Sequence, residues 1–340
     1  MPFREISGHR TLLSLVSRAI ARDSIPPSLL LTGADGVGKH LTARVVAEVM
    51  NCRTPVEASD GLAIDSCGGC NICNRIQRWS YPDVIKLEPT ESGSITVDQM
   101  RAVLGQVGYK PFEARRRVVI VDDADMMVAA AQNALLKTLE EPNASTQMIL
   151  VTSRPDLLLD TVRSRCPKLR FGLLDVEEII AVLTQRVEVD EVSARSAAVL
   201  AGGSAGRAIK VASGELAESR QAALGLLDVV SAAQDVHSRL NGAKDFFASK
   251  GKRLAPSAIR QAYRLRLGAL TSLLRDIELI CVGARAPLAN ADLEEPLKRL
   301  AASFSGGRSR QAFSVVDKAL DAIERNVSPK VVSDWLSCQL

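Results

Sequence analysis

Leu29-Leu30-Leu31-Thr32-Gly33-Ala34-Asp35-Gly36-Val37-Gly38-Lys39-His40 is the stretch on which the fold turns. Its first four residues are a short apolar run entered through Pro26-Pro27 and left at Gly33, which predicts a buried strand. The glycines predict a tight turn, and the apolar residues from Leu41 to Met50 predict a helix after it. Strand, glycine turn and helix in this order fit G-x-x-x-x-G-K. The backbone N–H groups of such a loop curl around phosphate oxygens, and the helix N-terminus and the lysine add positive potential. Gly33, Gly36, Gly38, Lys39 and His40 are therefore the expected binding residues for a nucleotide, ATP or ADP. His40 departs from the pattern. That position wants Ser or Thr, whose hydroxyl is a hard ligand for Mg²⁺, and imidazole is a poor substitute, so Mg²⁺ and hydrolysis are disfavoured.

Working outward, Val118-Val119-Ile120-Val121 reads as a second buried strand and Met148 to Thr152 as a third. Ala129 to Glu141, closed by Pro142, reads as a helix between them. Strands alternating with helices predict an α/β domain with a parallel sheet. Asp122 and Asp123 follow the second strand directly, where one acid can hold the water shell of a metal and the next can activate an attacking water. A helix N-cap is the competing reading, above all for Asp125. Arg115-Arg116-Arg117 precedes the same strand and reads as its solvated end.

Beyond about Phe171 the pattern is helical. Asp175 with Glu178 predicts a capping box, and Gly202-Gly203 parts two helices, with Ser204 as N-cap of the second. Phe313, Val316, Leu320 and Ile323 mark an amphipathic helix that stops before Pro329, and a last helix carries Trp335. Three domains are expected: residues 1–172 for nucleotide binding, 173–214 as a small helical lid, and 215–340 as a helical domain. The 340 residues, 46% hydrophobic and 24% charged, exclude disorder, collagen and coiled coil as the main architecture. An aromatic share of 4% argues against a carbohydrate cleft or a base-stacking platform. A net charge of +4 permits contact with nucleic acid without requiring it. The sequence has no apolar run long enough to span a membrane, and Arg4, Glu5, His9 and Arg10 are wrong for a secretory signal, so a cytoplasmic protein is expected.

Seven cysteines in such a chain point to metal or redox chemistry. Cys52, Cys67, Cys70 and Cys73 form C-x14-C-x2-C-x2-C, two overlapping clips and a fourth thiol with Gly68-Gly69 for the turn, which predicts structural Zn²⁺. A ferredoxin-type cluster would want a cysteine where Gln77 stands. Cys166, Cys281 and Cys338 read as small core residues.

Taken together, the phosphate loop, the cysteine module after its helix, Val118 to Asp125, Asn133-Ala134-Leu135-Leu136-Lys137-Thr138-Leu139-Glu140-Glu141-Pro142 and Ser164-Arg165-Cys166 resemble the bacterial DNA polymerase III clamp-loader subunits of the AAA+ class. The resemblance is strong over about residues 5–172 and weaker over the helical remainder. It implies an α/β nucleotide-binding domain, a helical lid and an all-α collar through which the chain joins a hetero-pentamer. It implies that Arg165 is an arginine finger, offered in trans to ATP on the adjacent subunit. Thr152 or Ser153 and Arg207 match the two sensor positions, and Gly8-His9 matches a segment near the adenine. Related ATPases carry Lys-Thr in the loop and Asp-Glu after the strand, and this chain carries Lys39-His40 and Asp122-Asp123. It therefore resembles the delta prime type, the stator, which hydrolyses little or no ATP itself. The implied work is that of the whole loader, opening a sliding clamp and placing it on primed DNA, with no membrane involved. Two alternatives are an active gamma/tau-type ATPase, and a DNA-binding or scaffolding module with a vestigial loop.

Overall fold

The computed structural model describes residues 2–58, 61, 63–90, 92–187, 189–232, 237, 239–240, 246, 256–284, 286, 288–304, 307–324 and 327–340. Five strands, β1 (Ser28–Thr32), β4 (Val84–Leu87), β5 (Arg117–Val121), β6 (Thr146–Thr152) and β7 (Lys168–Arg170), form a parallel sheet in the order β4-β5-β6-β1-β7. β2 (Val56–Glu57) and β3 (Ala63–Asp65) make a separate antiparallel pair. The central strands are buried throughout, with apolar middles, because both faces are covered, and alternate residues enter different cores. Leu29 and Leu31 pack with α1 (Arg10–Ala21), α2 (Lys39–Asn51) and α3 (Asn71–Gln77). Leu30, Val119 and Val121 pack with α4 (Val97–Val107), α5 (Ala129–Glu140) and α6 (Asp160–Arg163).

α7 (Val176–Arg186), α8 (Glu191–Ala201) and α9 (Ala205–Ala212) follow the sheet. The chain divides into two compact units, Met1–Ile209 and Lys210–Leu340, so most of the expected lid lies inside the first. The N–H of Asp175 donates to Glu178 Oε2, as the capping box requires. Ser204 caps α9 by accepting the N–H of Arg207. The second unit contains α10 (Glu215–Ala232), α11 (Pro256–Val282), α12 (Glu294–Ser303), α13 (Arg308–Glu324) and α14 (Pro329–Gln339). Its core runs along α11 at helical spacing, Leu267, Leu270, Leu274 and Ile277, and takes in Val316 and Ile323 of α13.

Two expectations change. The arginine run is not simply the solvated end of a strand: Arg117 is buried and its Nη2 lies 2.9 Å from Asp83 Oδ1. Its guanidinium also donates to the carbonyls of Tyr109 and Lys110, which draws the side chain under the loop before the strand. Cys281 and Cys338 are exposed, and only Cys166 of the three is a core residue.

Asp83 is the polar anchor of the sheet edge. It accepts the N–H groups of Phe112, Glu113 and Ala114 as well as Arg117. Burial works against its charge, but these donors outweigh it and hold the carboxyl below its ordinary range. The folded pKa lies below the unfolded one, so this stabilisation is complete above the unfolded value near 3.9 and is lost as pH falls through the folded value. Asp83→Ala strands a buried guanidinium and three N–H groups, and should destabilise the first unit by about 3–5 kcal/mol at neutral pH. Urea unfolding at pH 7 and pH 3 checks this. The penalty should be smaller at the lower pH, and an equal penalty at both would contradict it.

Candidate functional site

The parallel order brings the C-terminal ends of β1, β5 and β6 together, the edge at which open α/β sheets bind ligands. A cavity of about 380 Å³ opens there, lined by Asp35 to Leu41, Asp122 and Asp123, with Leu174, Arg186 and Gly206 on the lid side. The loop needs its glycines. Gly33, Gly36 and Gly38 have φ of +148°, +75° and +102°, and Gly38 begins α2. A Cβ on Gly36 would meet Ser204 Oγ at 2.5 Å, whereas one on Gly38 meets nothing within 4 Å. The first glycine makes room for the lid, and the second supplies only the backbone turn.

The lid grips the outer side of the loop. Ser204 Oγ donates to the Asp35 carbonyl at 2.7 Å, and the Gly206 N–H donates to the Gly36 carbonyl at 2.9 Å. His9 Nε2 lies 3.1 Å from the Val37 carbonyl, and its ring meets Phe171 edge-on, so His9 braces the loop rather than lining the cavity. Lys39 Nζ donates to the carbonyls of Gly33 and Ala34 at 2.8 and 2.7 Å. Burial lowers the pKa of this ammonium against the pull of Asp35, Asp123 and Asp122.

Of the expected residues, Gly36, Gly38, Lys39, His40, Asp122 and Asp123 share the cavity wall. His40 Nδ1 lies 2.8 Å from Asp122 Oδ2. Burial raises the Asp122 carboxyl, but His40 and Lys86 outweigh that and hold it below its ordinary value. Asp125 does not act as an N-cap. It lies within a short 3-10 turn, takes the Thr152 hydroxyl at 2.6 Å and pairs with Arg154 at 2.9 Å. Thr152 is thereby turned to Asp125, and neither it nor the exposed Arg207 lines the cavity. Arg186, at the end of α7, does line it, and its only sequence signal was a basic residue in the last helical turn.

Arg165 lies outside this wall. Its Nη2 pairs with Glu140 Oε1 at 2.6 Å and its Nη1 donates to the Thr161 carbonyl at 3.0 Å, with the side chain about one third exposed. The backbone beneath is fixed, because Ser28 Oγ donates to the Arg165 carbonyl and Cys166 is buried.

The four cysteines of the module converge. Their Sγ atoms lie within 4.8 Å of one another, at 3.5 Å for Cys70–Cys73, 3.6 Å for Cys73–Cys52 and 4.0 Å for Cys52–Cys70 and for Cys67–Cys73. A tetrahedral ion bound at about 2.3 Å would set its thiolates about 3.8 Å apart, so the cluster has the size to hold a metal. Burial raises all four thiols, and at Cys52 and Cys73 it prevails. At Cys67 the Thr54 side chain and the N–H groups of Gly69 and Cys70 overcome it and bring the thiol down to about 6, and Cys70 is also lowered.

A family model described as "DNA polymerase III, delta subunit" matches residues 8–175. The chain is 28% identical over 332 residues to DNA polymerase III subunit delta' of Bacillus subtilis, covering 97% of this chain and 95% of that one. It is 38% identical over 138 residues to subunit delta' of Pseudomonas aeruginosa, 40% of each chain. Over 207 residues it is 31% identical to subunit gamma of Buchnera aphidicola, 59% of this chain and 55% of that one. The match spans 26 to 55% of the length of the first curated relatives, those of gamma and tau type. No helix among the described residues is long and apolar enough to cross a membrane.

Proposed function

We propose, because the chain belongs to the delta prime type of DNA polymerase III clamp-loader subunits, that it is a stator whose Arg165 completes the ATP site of an adjoining subunit. The observation that carries this reading is the position of Arg165: its guanidinium is parked on exposed Glu140, away from the chain's own cavity, on a backbone fixed by Ser28 and Cys166. An exposed ion pair is worth at most about 1 kcal/mol, so the guanidinium can leave Glu140 readily. Aimed at the oxygens of a transferring phosphoryl group, it stabilises the charge that develops there. The chain's own loop serves as a nucleotide cradle with little hydrolysis, since His40 replaces the hydroxyl and Asp123 replaces the longer acid. A reach shortened by about 1 Å costs on the order of 100-fold in rate.

The rest of the role follows from the family. The helical second unit joins the other loader subunits in a hetero-pentamer, and clamp and primed DNA are engaged through that assembly. The cysteine cluster holds structural Zn²⁺, for which four thiolates and no open position are the fitting donor set. Reconstitution with the other loader subunits tests the reading, by comparing DNA-stimulated ATPase with wild-type chain and with Arg165→Ala. The variant should assemble normally and hydrolyse more slowly, and an unchanged rate would remove the assignment.

A further inference from the structure

Divalent magnesium is what the fold class leads one to expect between the residue after the loop lysine and the acid that ends β5. Here those positions are His40 and Asp122, and they are already engaged with each other, Nδ1 to Oδ2 at 2.8 Å. The contact is a close one between ring nitrogen and carboxylate without the alignment of a hydrogen bond, and it leaves the imidazole covering Oδ2. The ring is held from the side. Its centroid lies 5.3 Å from that of Trp79, whose backbone is left-handed at φ +55°, and Lys86 Nζ stands 5.4 Å from the same indole. The imidazole is thus wedged between an indole and a carboxylate.

Magnesium does not fit this donor set. It demands hard oxygen ligands in a near-ideal octahedron at about 2.0–2.1 Å. His40 offers no oxygen, and its ring stands against the Asp122 oxygen that would face the ion or its water. Positive potential toward phosphate comes from other parts of the cavity wall, Lys39 and Arg186 among its residues and the N-terminus of α2.

We infer that the cradle takes a nucleoside di- or triphosphate free of divalent cation, with the His40 ring held against Asp122 where the ion would stand. This rests on the proposal that the loop binds nucleotide, and is independent of Arg165. ATP in excess magnesium is mostly the metal complex, which must shed its ion or displace His40 to enter. Magnesium should therefore compete with the site for its ligand.

Titration of the full-length chain with ATP and with ADP, in EDTA and in excess MgCl₂, decides the matter. Heat of binding and tryptophan emission both report it, since Trp79 touches the His40 ring and the chain's other tryptophan, Trp335, lies in the second unit. Wild-type chain should bind in EDTA, and magnesium should raise the apparent Kd. His40→Thr should reverse the sign, with magnesium tightening binding about tenfold, the size of one charge-assisted contact. His40→Ala, which frees Asp122 without supplying a hydroxyl, should show a smaller tightening. An apparent Kd that magnesium leaves unchanged or lowers would overturn the inference, and so would failure to bind in EDTA. The wild-type arms decide even if a variant does not fold. Failure here leaves the Arg165 assignment standing, because that is read from the ATPase of the assembled loader.

Discussion

Hydrolysis at the nucleotide adjoining this subunit falls about 10³-fold or more when Arg165→Ala is built into the assembled loader, the range expected for loss of an arginine finger. The other sites of the loader keep their rate, so the bulk ATPase drops by the share of that one site, and a single-turnover measurement resolves it. The size of the effect separates a finger from a structural arginine. In the lone chain Arg165 makes an exposed pair with Glu140 and one bond to the Thr161 carbonyl, and losing them should move the melting temperature little. Arg165→Lys should recover only part of the rate, because an ammonium keeps the charge but not the fork that meets two phosphoryl oxygens. Glu140→Gln should leave the rate intact or raise it, since it removes only the parking place. A loader whose rate is insensitive to Arg165→Ala but whose chain melts lower would assign the residue to packing instead.

Loss of the metal is the second large effect. Cys73 and Cys52 are fully buried, and Ile72 and Ile76 of the cysteine-bearing helix belong to the core under the sheet. Cys73→Ala should remove zinc from about one ion per chain to nearly none and leave three thiols without a centre. Structural zinc contributes about 10–16 kcal/mol to the folding of isolated zinc-finger peptides. The first unit has a core of its own, so a smaller loss is expected, about 3–5 kcal/mol, which lowers the melting temperature on the order of 10 °C for a unit of this length. Cys166→Ala is the control, because it empties a buried thiol elsewhere and should not change metal content. Elemental analysis of the wild type without zinc, or a Cys73→Ala protein that melts with the wild type, would contradict the assignment.

What could be read from the residues alone was whatever local chemistry dictates. Leu29 to Thr32, Val118 to Val121 and Met148 to Thr152 are strands because short apolar runs bounded by turns have little choice when both faces are buried. The cysteine spacing likewise announced a cluster that the fold brings together. β4 and β7 went unread because Val84–Leu87 and Lys168–Arg170 are short and carry lysine or arginine, so their strand character comes from pairing with β5 and β1. The site was legible where it is one continuous segment, Gly36 to His40, and less so where it is assembled from afar. Arg186 reaches the cavity through the fold of the lid, and Arg117 turns inward because Asp83, distant in sequence, waits beneath it. Nor did spacing alone reveal that His40 and Asp122 would meet.

The most direct test is a structure of the loader holding a non-hydrolysable ATP analogue on the subunit beside this one. The Arg165 guanidinium should have left Glu140 and stand within hydrogen-bond reach, about 3 Å, of the terminal phosphate oxygens on that neighbour. A guanidinium still on Glu140, facing solvent with no nucleotide near it, would contradict the account.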